Sequence, residues 1–247
     1  MTIKNIAEHL ISKAKETPNL PSVICALGKN REGRRAYTIQ TFEQLNQESA
    51  DIAAWLADIG IQKGAKAVLM VRPGPELFAI TFGLFKAGIV PILIDPGMDK
   101  RDLKGCIAAA APELFIGISI AHLARILLGW GKKTVKRTIV VGEAQRNGWR
   151  GRWWSIIHHW LGDHHLREAY TGFSDTPSHY LAESDPNAVA AILYTSGSTG
   201  APKGAIYRHR HFTAQVELLQ SLYPFRRGAF DVPTFPLFAL FDPALGM

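Results

Sequence analysis

The residues best suited to chemistry lie between Tyr194 and Gly204, which read Tyr-Thr-Ser-Gly-Ser-Thr-Gly-Ala-Pro-Lys-Gly. Gly197, Gly200 and Gly204, the hydroxyls of Thr195, Ser196, Ser198 and Thr199, and one cation, Lys203, share a single short stretch. Glycine lets the backbone take positive φ and approach a ligand closely. Hydroxyls and free amide N–H groups then serve as neutral donors while the lysine supplies charge, the combination that a polyphosphate requires. The pattern departs from the Gly-x-x-x-x-Gly-Lys-Ser/Thr loop, because Pro202 precedes Lys203 and Gly204 follows it.

The elements around this loop follow from periodicity. The apolar run from Ala188 to Tyr194 reads as a buried strand entering the loop. Ala205–Tyr207 reads as a short β-like exit, with a helical pattern only from about His211. No helix N-terminus then lies directly beneath the loop, so side chains and amides must do the gripping in place of a helix dipole. Upstream, a helix is expected from Asn5 to before Pro18, then a strand, Ser22–Leu27, and a polar hairpin from Gly28 to Arg35. Thr41 and Gln44 have the spacing of a capping box. Leu45, Ile52, Leu56 and Ile59 continue a helical face that Gly60 closes.

Strands Ala67–Val71, Val90–Ile94, Leu114–Gly117 and Thr138–Val141 then alternate with helices Glu76–Ala87, Lys100–Ala110 and Ala121–Leu128. Short, wholly apolar strands between helices mean parallel strands buried on both faces. The expected fold is α/β, a doubly wound and mostly parallel sheet. Residues 1–142 form its first subdomain, 143–187 a basic, Trp/His-rich insertion or linker, and 188–247 the start of a second subdomain carrying the loop.

Composition narrows the class. Hydrophobic residues make up 47% of 247 and the mean hydropathy is +0.02, enough for a large core. Cys25 and Cys106 have no metal-ligand spacing around them and read as free thiols in a reducing compartment. The N-terminus has no apolar leader, and the apolar stretch from Leu77 to Phe85 is too short to span a bilayer. A soluble cytoplasmic protein is expected.

Most of the net charge of +7 sits in residues 132–152, where Lys132, Lys133, Lys136, Arg137, Arg146, Arg150 and Arg152 face Glu143 alone. That concentration argues against nucleic acid as a partner, since a basic surface would recur along a binding face. Next come Trp149, Trp153, Trp154 and Trp160, together with His158, His159, His164 and His165. Trp153, Ile157, Trp160 and Leu161 share one helical face. Two readings stay open for 149–165: an interfacial helix on an anionic membrane or a protein partner, or an insertion packing on its own domain. No metal site is expected, because the histidines lack cysteines or a well-placed acidic partner.

The loop resembles the phosphate-binding signature of the adenylate-forming superfamily, which includes acyl-CoA synthetases, luciferases and peptide-synthetase adenylation domains. Thr41-Phe-Glu-Gln-Leu45 and the stretch from Phe85 to Pro96, Phe-Lys-Ala-Gly-Ile-Val-Pro-Ile-Leu-Ile-Asp-Pro, resemble two further elements of that family in its order. The resemblance implies activation of a carboxylic acid by ATP with Mg2+, giving an acyl-adenylate and pyrophosphate. Thr195, Ser196, Gly197, Ser198, Thr199, Gly200 and Lys203 would hold the β- and γ-phosphates. His209 stands where the family commonly has histidine, either with a direct role or simply bonded to backbone.

The final segment, Thr234 to Met247, has Ala239 where many acyl-CoA ligases carry histidine. Its run Phe-Pro-Leu-Phe-Ala-Leu-Phe resembles the olefin-pathway β-lactone synthetases, once called long-chain acyl-CoA ligases. These close a long-chain β-hydroxy acyl-adenylate on its own hydroxyl, without CoA. Pro236, Phe238, Ala239, Leu240 and Phe241 would line the acyl pocket, with Asp242 turned to solvent or else disturbing that pocket. Alternatives are an acyl-CoA ligase proper, using CoA, and a non-catalytic ATP-binding remnant. The family's adenine-binding, ribose-binding and late lysine motifs are not found before Met247. This chain alone is therefore expected to have little adenylating activity, and to expose a sheet edge.

Overall fold

The computed structural model describes residues 3–29, 32–95, 97–142, 163–166, 168–171, 179–195, 202–223, 225–226, 228–232 and 240–247. In chain order the elements begin with α1 (Ala7–Glu16), β1 (Pro21–Lys29), β2 (Arg35–Thr41) and α2 (Phe42–Asp58). Then come β3 (Lys66–Met70), α3 (Pro75–Ala87), β4 (Val90–Ile94), α4 (Lys100–Ala110), β5 (Leu114–Ile118), α5 (Ser119–Leu128) and β6 (Arg137–Val141). The described remainder is β7 (His164–His165), α6 (Glu168–Thr171), β8 (Val189–Thr195), β9 (Lys203–Arg208), α7 (His209–Leu222) and α8 (Asp242–Leu245).

Strands β1 and β2 pair as a separate antiparallel hairpin, and the other seven form one sheet in the order β7-β6-β5-β3-β4-β8-β9. All neighbours in that sheet are parallel except β8 and β9. The chain enters mid-sheet at β3, moves out to β4, then returns across β3 to build β5, β6 and β7. Alternate strand residues serve opposite cores. Ala67, Leu69, Leu93, Leu114 and Ile116 join α1, α2 and α3 in one core. Val68, Ile92 and Phe115 join Ile107 and Ala110 of α4, and Trp130, in the other. This is the doubly wound α/β fold that the alternation of short apolar strands and helices implies.

Local chemistry fixes the helices that frame the sheet. The Thr41 hydroxyl accepts from the Gln44 amide at 3.2 Å, and Gln44 Oε1 accepts from the Thr41 amide at 2.9 Å, a complete capping box. Helices α2 and α3 meet at Gly83, where a Cβ would lie 2.8 Å from Ile52 Cγ2. Nearby, Lys86 is 1% exposed and donates to Asn46 O and Oδ1 at 2.6 and 2.8 Å. Burial lowers its pKa to about 7, with Asp51 pulling the other way.

Two expectations need adjustment. β9 is twice the expected length and α7 starts at His209, not near His211. β9 is an exposed edge whose residues 203–206 face solvent, so no apolar periodicity marks its ends. β8, near the start of residues 188–247, pairs with β4. Within 143–187, β7 extends the sheet from β6, and Leu166 N donates to Val140 O at 3.0 Å. Residues 179–187 then run back across α3, with Ala182 N donating to Lys86 O at 2.7 Å.

Lys86 yields a test by linkage. Its folded pKa lies below the unfolded value of 10.5, so between about pH 7 and 10.5 the unfolded chain binds the extra proton. Urea unfolding free energy should rise across that window, and Lys86→Met should remove most of the rise.

Candidate phosphate-binding site

The loop is held by the pairing of three strands. β8 runs parallel to β4 in the register Ile92↔Ile192, Leu93↔Leu193 and Ile94↔Tyr194. It also pairs antiparallel with β9, ending at Thr195↔Lys203. Thr195, the last residue of β8, therefore lies at the carboxyl end of that strand beside the end of β4, where Asp95 N donates to Tyr194 O at 3.3 Å. Gly204 is required by packing: a Cβ there would lie 2.8 Å from Tyr194 Cζ. Tyr194 is buried and Lys203 exposed. Among the described residues Lys203 has no carboxylate partner, which leaves its charge available to an anion.

Ser196, Gly197, Ser198, Thr199, Gly200 and the Thr195 side chain lie outside the described residues. What is described shows a hairpin base with a cation on its exit strand, and the first helix after it beginning only at His209. Among the described residues no cluster of His, Cys, Asp or Glu could hold a metal ion.

His209 is 3% exposed, and its Nδ1 accepts the Ile6 amide at 3.2 Å. Its ring meets Phe85 edge-on with centroids 6.3 Å apart. Desolvation lowers its pKa to about 4, so the ring is neutral near pH 7. Of the two roles open to this residue, the structure shows the backbone contact, which joins the chain's first helix to α7.

Of the expected acyl-pocket residues, Pro236, Phe238 and Ala239 lie outside the described residues. Leu240 is buried, and Phe241 packs against Phe212 with centroids 5.2 Å apart. With Ile6, Phe85, Leu93 and Leu193 they border an apolar space of about 20 Å³. Asp242 is half-buried instead of turned fully outward. Desolvation, then the charge of Asp231, raises its carboxyl to about 7. A larger hollow, about 410 Å³, lies where β3, β4 and β5 end, bordered by Leu69, Met70, Leu93, Met98, Leu103 and Ile118. Periodicity did not reveal it, because the hollow follows from strand order.

Residues 10–238 match the family model for AMP-binding enzymes. The chain belongs to that family. It is 45% identical over all 247 residues to an olefin beta-lactone synthetase of Xanthomonas campestris pv. campestris, and 44% identical over 98% of its length to the corresponding protein of Stenotrophomonas maltophilia. The match spans 42% of each of these relatives. A putative long-chain-fatty-acid CoA ligase from Rhodopseudomonas palustris has a similar fold, with a TM-score of 0.68 at 15% identity over 98% of this chain and 56% of that one.

The His209 contact predicts acid sensitivity. Its folded pKa is depressed from 6.5 to about 4, so its contribution is full above pH 6.5 and is lost as pH falls towards 4. His209→Ala leaves the Ile6 amide unpaired and should cost about 1–3 kcal/mol in denaturant unfolding at pH 7, with a shallower decline on acidification.

Proposed function

We propose that the chain supplies the phosphate-binding part of an enzyme that activates a carboxylic acid with ATP, and that the activated acid is a long-chain β-hydroxy acid closed to a β-lactone. The observation that carries this is 45% identity over all 247 residues to part of a protein named olefin beta-lactone synthetase, 42% of its length, combined with an AMP-binding family match that contains residues 195–203. Thr195, Ser196, Gly197, Ser198, Thr199, Gly200 and Lys203 are the proposed phosphate ligands.

The chemistry asks for what such a loop offers. A carboxylate oxygen attacks the α-phosphorus, the bond to the bridging oxygen breaks, and pyrophosphate leaves with the negative charge. Donors preset around the β- and γ-phosphates stabilise that charge as it develops. Lys203 adds a cation at the loop exit. In lactone closure the substrate's own hydroxyl oxygen attacks the acyl carbonyl, the bond from that carbon to the phosphate oxygen breaks, and AMP leaves as the hydroxyl proton passes to it or to water. Closure within one molecule gains from proximity and needs no thiol acceptor. Residues 236–241 remain the proposed wall for the acyl chain.

ATP affinity tests the loop assignment: Lys203→Ala should weaken it about tenfold or more, the loss of one charge-assisted contact. Unchanged affinity would place the nucleotide elsewhere. Pyrophosphate exchange dependent on a 3-hydroxy acid tests the reaction, with lactone formed whether or not CoA is present. Thioester formed only with CoA would favour the ligase reading.

A further inference from the structure

Helix α5 has two apolar faces, and only one of them is used by the fold. Its inner face lies on β5 and β6. His122 is wholly buried there with Nε2 3.0 Å from Ile139 O, and Ala121 and Ala124 pack into the core around Phe115. The outer face is aliphatic and open. Ile120, Ile126 and Leu127 are 57%, 55% and 75% exposed, and Leu128 in the last turn is exposed as well. Ile120 and Leu127 share one line along the helix, at i and i+7, where a surface helix ordinarily carries polar residues. A contiguous apolar patch of this kind marks an interaction surface.

Cations gather at the C-terminal end of this face. Gly129 closes α5 in left-handed conformation, and the turn that follows is fixed at both ends. Trp130 is buried, Val135 packs on the same core, and Val135 N donates to Gly131 O at 2.9 Å. Lys132 and Lys133 stand exposed between these anchors. Lys104 of α4 is a third cation beside the helix end, since a Cβ on Gly129 would lie 3.9 Å from its Nζ. None of the three has a carboxylate partner among the described residues. The acids close in sequence or space are engaged elsewhere: Glu113 pairs with Lys136 at 2.8 Å, and Asp163 accepts from Thr138.

We propose that this surface docks on a bilayer containing anionic phospholipid, with the outer face of α5 entering the headgroup boundary and Lys104, Lys132 and Lys133 meeting lipid phosphates. Interfacial helices combine an apolar stripe with flanking cations in this way, and each lysine near an anionic leaflet adds attraction that a neutral lipid does not supply. Composition separates this surface from a protein interface. Protein interfaces concentrate Tyr, Trp, Phe, Met and Arg and are depleted in Lys. The exposed residues from Ile120 to Lys136 are isoleucine, leucine and lysine alone. The proposal concerns α5 and its turn, and it holds whichever acid the chain activates.

Co-sedimentation of the full chain with vesicles tests it, comparing phosphatidylcholine alone with phosphatidylcholine containing roughly one-third phosphatidylglycerol. Binding to the anionic vesicles only, weakened by added salt, is expected. Lys132→Glu combined with Lys133→Glu should weaken partitioning at least about tenfold. Leu127→Ser should weaken it about tenfold, with Ile126→Ser as a second variant should the first fail to fold. Ile39→Ser, which removes an exposed isoleucine from the separate β1–β2 hairpin, should leave it unchanged. Absence of binding to anionic vesicles would overturn the proposal and leave the face to a protein partner. Equal binding to both vesicle compositions, undiminished binding by the folded α5 and lysine variants, or an equal loss on Ile39→Ser would overturn it too.

Discussion

The pairing of β8 with β4 is the constraint on which the functional geometry depends. These strands are separated in sequence by α4, β5, α5, β6 and everything up to residue 188, yet they align Ile94 with Tyr194. That register places the start of the glycine- and hydroxyl-rich loop at the carboxyl end of the sheet, beside the turn that follows β4. Burial enforces it. Ala190 and Ala191 are almost fully buried and Leu193 packs against the same core, and a slip of one residue would exchange the two faces of the strand. β9 then closes the hairpin and leaves Lys203 exposed at its base.

Buried polar contacts secure this arrangement from outside the sheet. Asn5 donates to Phe85 O at 2.8 Å and to Ser184 Oγ at 2.9 Å, and the Ile6 amide reaches His209. A few residues at the start of α1 therefore bind α3, the segment before β8, and the helix after β9. Each contact satisfies a group that would be costly to bury alone. Lys86 belongs to the same region. It is nearly inaccessible, and two Asn46 oxygens accept from its amine and compensate its burial. The framework around the loop thus rests on a small number of desolvated hydrogen bonds as well as on apolar packing.

Much of this was legible in the sequence where local rules operate. The capping box at Thr41 and Gln44, the stop at Gly88 in left-handed conformation, and the four central parallel strands follow from spacing and composition alone. The strand that enters the glycine- and hydroxyl-rich stretch was legible from its apolar run. Strand order was not, since periodicity says that a strand is buried but not beside which neighbour. The adjacency of β4 and β8, the short β7 and the hollow where β3, β4 and β5 end all depend on that order. His209 and Asn5 were opaque for a related reason: their partners lie 203 and 179 residues away, and no local pattern records such contacts. The exposed edge strand β9 was only partly visible, because a strand half in solvent carries little hydrophobic signal.

Backbone amide hydrogen exchange of the chain, with and without Mg2+-ATP, measures the central claim most directly. The account predicts that slowed exchange on adding nucleotide centres on peptides spanning 195–204, with a weaker effect at the β4 end around Asp95. Slowed exchange centred elsewhere in the chain, with residues 195–204 unaffected by saturating nucleotide, would contradict it.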